Sequence, residues 1–198
     1  MGVTGAWMSP VAVTSLPESS GDSADVYTTG TPPSAGNMNL EPLALFIWSV
    51  AVQLRDRQLC GFFFLCDGDM SSLQMHNMQL PQLVKRDRCF RRAFQKKKCL
   101  VEIVKGLDEY KKHLLVVNEW IQDETQQVDL LLVSMKNLAD LLTFQNKVQE
   151  NITHQHKEIF TPDKLPNSVW DKQLKIHVIL RNFALFMEST VRAIRFMN

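Results

Sequence analysis

Positive charge is missing from the start of the chain: no lysine or arginine precedes Arg55 in the 198 residues. Residues 1–39 are rich in Ser, Thr, Gly, Pro and Asp. Such a segment buries too little apolar surface to offset the entropy that it loses on ordering. We therefore predict a disordered N-terminal tail over 1–39 and one folded domain over 40–198.

A recognisable export signal is missing as well. Such a signal combines a positively charged start with an apolar run of about 7–15 residues, and Met1–Ala12 has neither. The four cysteines, which form two pairs close in sequence, nevertheless favour an oxidising compartment. We therefore expect a secreted, extracellular protein whose natural start differs from the one seen in this chain.

Long apolar runs are also lacking. The longest, Leu43–Leu54, has 12 residues, whereas a helix that spans a bilayer needs about 20. Glu41 and Pro42 directly precede it and do not suit a signal sequence. The run predicts a helix that is buried on more than one side, and no insertion into a membrane.

Motifs of catalysis are absent from the sequence. It has no Gly-rich phosphate loop, no Gly-x-Ser-x-Gly turn and no Cys-x-x-Cys, and no nucleophile stands beside a base in a known local context. His154 and His156 are alternate residues without a nearby set of carboxylates and thiols, which is too little for a metal site. We predict neither an enzyme nor a metal or cofactor site.

Helical periodicity fills most of the remaining chain, with apolar residues recurring three and four positions apart. The predicted helices cover about 40–60, 98–122, 123–152 and the region after Ser168, which is the expected N-cap of the last one. The first connection is long, the second very short and the third intermediate. Parallel neighbouring helices require a long crossover, whereas a short turn joins antiparallel ones. The predicted fold class is all-α, a bundle of four helices.

Each predicted helix has one apolar stripe, which we expect to face the core. The stripes consist of Leu43, Phe46, Ile47, Val50 and Leu54 in the first helix; Leu100, Ile103, Val104, Leu107, Leu114 and Ile121 in the second; Val128, Leu131, Leu132, Met135, Leu138 and Leu142 in the third; and Ile176, Ile179, Leu180, Phe183, Met187, Val191 and Ile194 in the fourth.

Four cysteines, Cys60, Cys66, Cys89 and Cys99, form two pairs that are close in sequence. Local pairing within each pair is favoured because each bridge would close a short loop, and it would stabilise the fold by roughly 2–3 kcal/mol. Two alternatives stay open. Structural zinc prefers about two to four residues between its sulfurs, whereas 5 and 9 residues intervene here, and four free thiols would fit a cytosolic protein.

Two blocks of sequence are distinctive. Leu80–Leu107 contains Leu-Pro, then Cys-Phe-x-x-x-Phe, then Cys-Leu-Val-x-Ile-x-x-Gly-Leu, and His177–Arg195 ends on Arg-Ala-x-Arg. Together with cysteine separations of 6, 23 and 10 residues, these blocks resemble the interleukin-6 family over roughly Pro42–Asn198. The resemblance implies an up-up-down-down long-chain cytokine bundle with both disulfides local. It also implies a secreted cytokine that binds a specific α-receptor and the shared signal-transducing β-receptor and triggers JAK–STAT signalling in immune, inflammatory and acute-phase responses.

The resemblance implies four α-receptor contacts: Phe90 and Phe94 before the second helix, and Arg192 and Arg195 near the end of the last. Judged by residue type alone, a phenylalanine more often packs in a core than touches a partner. A charged face on a helix is equally often simply solvated. Arginine beside exposed apolar groups is nevertheless typical of interface anchors, and the motif favours binding for all four residues.

The resemblance also implies two β-receptor surfaces. Ser134 on the third helix is assigned to the first, and Leu73, Asn77 and Trp170 are assigned to the second. The chain departs from its relatives with Phe46-Ile47 where they carry Arg-Tyr, with an unusually apolar disulfide loop, GFFFL, and with a shorter segment between Pro162 and Trp170. The change at Phe46-Ile47 affects the β-receptor contact that the resemblance implies for the first helix.

Eight Lys and Arg residues stand within 14 positions, where relatives are more acidic. They are Lys85, Arg86, Arg88, Arg91, Arg92, Lys96, Lys97 and Lys98. Such a cluster is typical of binding to heparin or nucleic acid, so the alternative function is a basic helical module that binds one of these through residues 85–98. A solvated loop whose charge tunes the approach of a receptor is the simpler explanation. Of the two polyanions we hypothesise heparan sulfate, and not nucleic acid, as a partner.

One modification site is predicted. Asn151-Ile152-Thr153 is an N-glycosylation sequon, although such triplets also arise by chance. It lies near the predicted end of the third helix, where a glycan on Asn151 can be accommodated.

Overall fold

The computed structural model describes residues 40–66, 78–121, 125–146 and 168–197, and among these it contains no β-strand. Its helices are α1 (Leu40–Phe63), α2 (Lys96–Trp120), α3 (Thr125–Asn146) and α4 (Val169–Arg195), with short 3₁₀ turns at Lys85–Asp87 and Arg91–Ala93. All four helices belong to one compact unit, Gly36–Asn198. The predicted tail over 1–39 lies outside the described residues, so its disorder and the domain boundary stay predictions.

Contacts between helix ends give the direction of each helix. Glu41 at the start of α1 pairs with Arg195 at the end of α4, which makes these two helices antiparallel. The ring of Tyr110 in α2 lies 5.0 Å from that of Phe183 in α4, and Phe94 before α2 meets Phe196 after α4. Since α2 is therefore antiparallel to α4 and joined to α3 by a short turn, the bundle runs up, up, down, down. The predicted fold class is confirmed.

The predicted N-cap of α4 is also confirmed. Ser168 has extended backbone angles, and its Oγ accepts a hydrogen bond from the Asp171 N–H at 3.1 Å. This bond satisfies one of the free amides of the first helical turn. Asp171 itself adds a favourable negative charge at that positive end of the helix.

The core consists of the predicted stripes with one correction. Every predicted core residue of α4 is buried, as are the large residues of the other stripes with a few half-buried exceptions at the edges. Phe46, which was predicted to face the core, is 42% exposed. The buried stripe of α1 is centred on Ala44, Ile47 and Ala51, two of which are small, so the pattern of large apolar residues alone misplaced its centre by about one position.

Both disulfides are present and local, Cys60–Cys66 and Cys89–Cys99. No cysteine is free, so the zinc and free-thiol alternatives are wrong. The first bridge joins the end of α1 to the residues that follow it. The second joins the loop before α2 to the first turns of α2, and both pairings follow the short separations seen in the sequence.

Close packing of α2 on α4 depends on a glycine. Gly106 is buried on the inner face of α2, and a Cβ built on it would overlap the ring of Phe186. The Phe186 ring in turn lies 5.2 Å from that of Tyr110. The Gly-Leu of the sequence motif therefore has a packing role, because only a residue without a side chain lets the Phe186 ring lie against the α2 backbone.

We expect Gly106→Ala to lower the free energy of unfolding by about 1–3 kcal/mol, because the added methyl displaces a buried ring. Gly61→Ala is the matched control. It lies within α1 with nothing within 4 Å of its Cβ position, so it should be neutral or stabilise by up to about 1 kcal/mol through helix propensity. Urea denaturation of both variants measures the difference, and equal effects would contradict this role of Gly106.

Candidate functional site

The loop before α2 has a defined shape. Asp87 is buried, and its Oδ2 accepts a hydrogen bond from the Val84 N–H at 2.7 Å. Arg88 takes the left-handed conformation with φ 60°, and its carbonyl accepts from the Gln95 N–H at 2.9 Å. The Cys89–Cys99 bridge then ties the loop to α2. The residues between these ties are therefore presented in a restricted geometry and do not form a free chain.

A buried tyrosine joins the long crossover to the core. The Tyr110 hydroxyl donates to the Pro81 carbonyl oxygen at 2.9 Å, and the Tyr110 side chain is fully buried. Burial raises the pKa of Tyr110 well above its ordinary value, because the phenolate would be poorly solvated there. The start of the loop is thus held against α2 by a neutral hydrogen bond.

The four predicted α-receptor residues lie at one end of the bundle. We call Phe90, Phe94, Arg192, Arg195 and Phe196 the C-terminal surface. The rings of Phe94 and Phe196 lie 6.3 Å apart at an angle of 66°, which connects the loop to the end of α4. Phe94 is half-buried on the core, whereas Phe90 is 43% exposed. Phe94 therefore anchors the loop, and Phe90 is the exposed aromatic side chain that the loop presents, while Phe196 directly after α4 is exposed as well.

Both arginines of the C-terminal surface are oriented by carboxylates. Arg192 pairs with Glu188 one turn earlier on α4, and the Arg195 Nε donates to the Glu41 Oε1 of α1 at 2.6 Å. The Arg192 side chain is still 67% exposed. A guanidinium has five N–H donors, so each arginine keeps donors for a partner while its direction is restricted.

The opposite end of the bundle carries an aromatic cluster. We call Phe62, Phe63, Phe64, Leu65 and Trp170 the aromatic end. The Trp170 ring packs at 5.0 Å from Phe63 and 6.1 Å from Phe62, and Trp170 remains 51% exposed. The apolar disulfide loop is therefore explained in part, because it supports the tryptophan.

The same loop also presents an unsupported side chain. Phe64 has φ 58° and follows the last turn of α1, where its N–H bonds to the Cys60 carbonyl at 3.2 Å. This left-handed position after a helix most often holds glycine, and a residue with a Cβ is disfavoured there. Phe64 is 85% exposed, so α1 ends on an apolar side chain that contributes little to the core.

The remaining predicted β-receptor residues divide into two groups. Ser134 lies on α3 but is only 6% exposed, because it faces the neighbouring helices. Leu130 and Val133 are the exposed apolar residues beside it, so a partner on this face of α3 would meet them before Ser134. Leu73 and Asn77 lie outside the described residues, as does Asn151 of the sequon, and these assignments stay predictions.

The basic segment, residues 85–98, is exposed throughout at its lysines and arginines. Arg86 lies 3.8 Å from Asp87, and the other seven form no ion pair with any residue that the structure describes. Three of them, Lys96, Lys97 and Lys98, occupy the first turn of α2, which has no acidic residue and no side-chain cap. Positive charge at this end of a helix is unfavourable, so the segment concentrates charge at a cost to local stability.

Two further kinds of site are absent from the described residues. These residues contain no group of three or more His, Cys, Asp or Glu side chains that could hold a metal ion. No helix in this part of the chain is long and apolar enough to cross a membrane.

The known proteins to which this sequence is similar belong to one family. The sequence matches the model of the family described as Interleukin-6/G-CSF/MGF family over residues 14–197. It is 30% identical to interleukin-6 of Gallus gallus over 95% of this chain and 79% of that protein. It is 29% identical to interleukin-6 of Mustela putorius furo over 89% of this chain and 84% of that protein.

A solved structure also resembles the fold. A chain of a crystal structure of a cytokine/receptor complex superposes with a TM-score of 0.57, at 19% identity, over 79% of this chain and 95% of that chain. At this level of identity the likeness supports the architecture of the bundle alone.

We expect Tyr110→Phe to lower the free energy of unfolding by about 1 kcal/mol, because it removes the bond to the Pro81 carbonyl and keeps the ring. The raised pKa of Tyr110 also makes the free energy of unfolding depend on pH. The Tyr110 contribution is fully present below the unfolded pKa of about 10 and is lost as the pH rises above it. Denaturation at neutral and alkaline pH should therefore show that the free energy of unfolding falls more steeply with rising pH in the unmodified protein than in the Tyr110→Phe variant. Equal alkaline losses in the two proteins would contradict this assignment.

Proposed function

Because the chain belongs to the Interleukin-6/G-CSF/MGF family, we propose that it is a secreted cytokine that binds a specific α-receptor and the shared signal-transducing β-receptor. The proposed output is JAK–STAT signalling in immune, inflammatory and acute-phase responses. Members of this family are signalling ligands and not enzymes. The observation that carries the proposal is the exposed Phe90 in the disulfide-closed loop of the family motif, at the same end of the bundle as Arg192 and Arg195.

The C-terminal surface supports the α-receptor assignment through its chemistry. Aromatic and arginine side chains supply most of the binding energy at protein interfaces, especially where the surrounding contacts exclude water. Phe90 provides an exposed ring, and Arg192 and Arg195 provide oriented donors at the end of α4. Since Phe94 and Phe196 join the two elements, a receptor would find this surface largely formed before binding.

The aromatic end supports the second β-receptor contact. Trp170 is half-exposed, and its ring packs against those of Phe62 and Phe63. A tryptophan held in this way loses little conformational entropy on binding. The distance between the two ends, the length of the bundle, allows both receptors to bind at the same time.

A second ligand is favoured by the basic segment. We propose that residues 85–98 bind heparan sulfate, because seven exposed basic side chains there have no ion-pair partner among the described residues. The formal net charge of the whole chain is only +1, so the positive charge is concentrated on this segment. Nucleic acid is the less favoured polyanion, since two disulfides are typical of proteins outside the cytosol.

We expect Arg192→Ala to weaken binding to the soluble α-receptor at least about tenfold, and to change the free energy of unfolding by no more than about 0.5 kcal/mol because the side chain is exposed. Titration on a biosensor measures the affinity. Arg57→Ala, on an exposed arginine near the far end of α1, is the matched control and should bind normally. An unchanged affinity of the Arg192 variant would remove the assignment.

We expect Trp170→Ala to reduce β-receptor phosphorylation in responsive cells while binding to the α-receptor stays normal, because the two surfaces lie at opposite ends of the bundle. Leu115→Ala, which removes another half-exposed apolar side chain, from α2, is the control and should signal normally. Phosphorylation of the β-receptor across a concentration series is the measurement. Full signalling by a folded Trp170 variant would refute the second β-receptor contact.

A further inference from the structure

One small covalent ring holds both a proposed receptor contact and most of the unpaired positive charge. The bridge between Cys89 and Cys99 closes a loop with a sequence separation of 10 and a Cα–Cα distance of 4.9 Å. Phe90 and Phe94 lie inside this ring. So do five basic residues, Arg91, Arg92, Lys96, Lys97 and Lys98.

The two sets of basic side chains at this end of the bundle differ in their pairing. Arg192 and Arg195 on α4 are each matched by a carboxylate, Glu188 and Glu41. The five basic side chains of the ring form no ion pair with a described residue. Charges separated by less than about 8 Å, the Debye length at physiological ionic strength, act together on an anion. A polyanion is therefore attracted more strongly to the ring than to the paired arginines of α4.

The position of Phe90 makes this attraction relevant to the receptor. Phe90 is exposed between Arg88 and Arg91, directly after the bridged Cys89. Arg88 and Arg91 flank Phe90 in the sequence and both are exposed, so a sulfated chain that contacts both arginines lies next to this side chain. A receptor that uses Phe90 as an aromatic anchor has to exclude water and other ligands from its phenyl group. The receptor and the polyanion therefore compete for the same few residues.

We infer that a sulfated glycosaminoglycan and the α-receptor occupy the Cys89–Cys99 ring in turn and never together. The polysaccharide-bound protein is then a store that cannot engage the α-receptor, and release from the polysaccharide makes it competent. Exclusive binding is reciprocal, so the receptor lowers the affinity for the polysaccharide by the same factor. This inference rests on the proposed function, because it needs Phe90 to be a receptor contact.

The experiment uses the full chain, immobilised soluble α-receptor and a heparin dodecasaccharide as the probe. One variant carries Lys96→Gln, Lys97→Gln and Lys98→Gln together. A matched control carries Lys105→Gln, Lys111→Gln and Lys136→Gln, which remove the same charge from exposed positions outside the ring. A third variant, Phe90→Ala, removes the shared aromatic side chain. Free energies of unfolding confirm that each variant is folded.

The unmodified protein should stay on immobilised heparin above about 0.15 M ionic strength, and the ring variant should elute earlier than the matched control. Saturating dodecasaccharide should raise the apparent Kd for the α-receptor at least about tenfold in the unmodified protein and in the control. The ring variant should lose this response. Phe90→Ala should lose receptor binding and keep its retention on heparin.

Three results would overturn the inference, and they are distinguishable from one another. Unchanged receptor affinity at saturating dodecasaccharide refutes exclusive binding and leaves the cytokine function standing. Tighter binding to duplex DNA than to heparin at equal salt refutes the class of ligand. Failure of the unmodified protein to bind any α-receptor in the absence of heparin refutes the proposed function itself.

Discussion

The close packing of α2 on α4 is the contact on which the position of the loop before α2 depends. Gly106 lets the Phe186 ring lie against the backbone of α2, and Tyr110 packs on the same ring. Tyr110 also holds the crossover through its bond to the Pro81 carbonyl. The Cys89–Cys99 bridge continues this connection from α2 to the loop. The position of Phe90 therefore follows, step by step, from a missing side chain in the middle of the bundle.

The two ends of the bundle present different chemistry on the same scaffold. At the C-terminal surface an exposed ring lies among charged side chains, some of them paired and some not. At the aromatic end the exposed side chains are apolar and rest on one another. Interactions of the first kind are weakened by salt, whereas burial of apolar surface is not. The two proposed receptor contacts should thus respond differently to the same change in solvent.

Helix positions, the core of α4 and the disulfide pairs were predictable because each depends on short spacings in the sequence. The centre of the α1 stripe was not, since its alanines carry little signal although they determine which face approaches the neighbours. The burial of Ser134 could not be anticipated either, because it depends on how α3 is rotated in the bundle. The hydrogen bond from Tyr110 joins residues 29 positions apart, and no local pattern indicates such a bond. The packing of Trp170 against the disulfide loop is equally non-local, although the unusual GFFFL sequence pointed to the loop.

The bridge from Cys89 to Cys99 also determines what a trypsin-like protease would do to this protein. Such an enzyme cuts after lysine and arginine, and five of these residues are exposed inside the ring. A single cut there leaves the polypeptide in one piece, because the sulfur–sulfur bond still joins the two sides. The buried residues of α2 begin at Cys99, so a cut before it spares the core of the bundle, while the segment that holds Phe90 gains a free end. The chain can thus be nicked at its most charged segment and lose the shape of that segment alone.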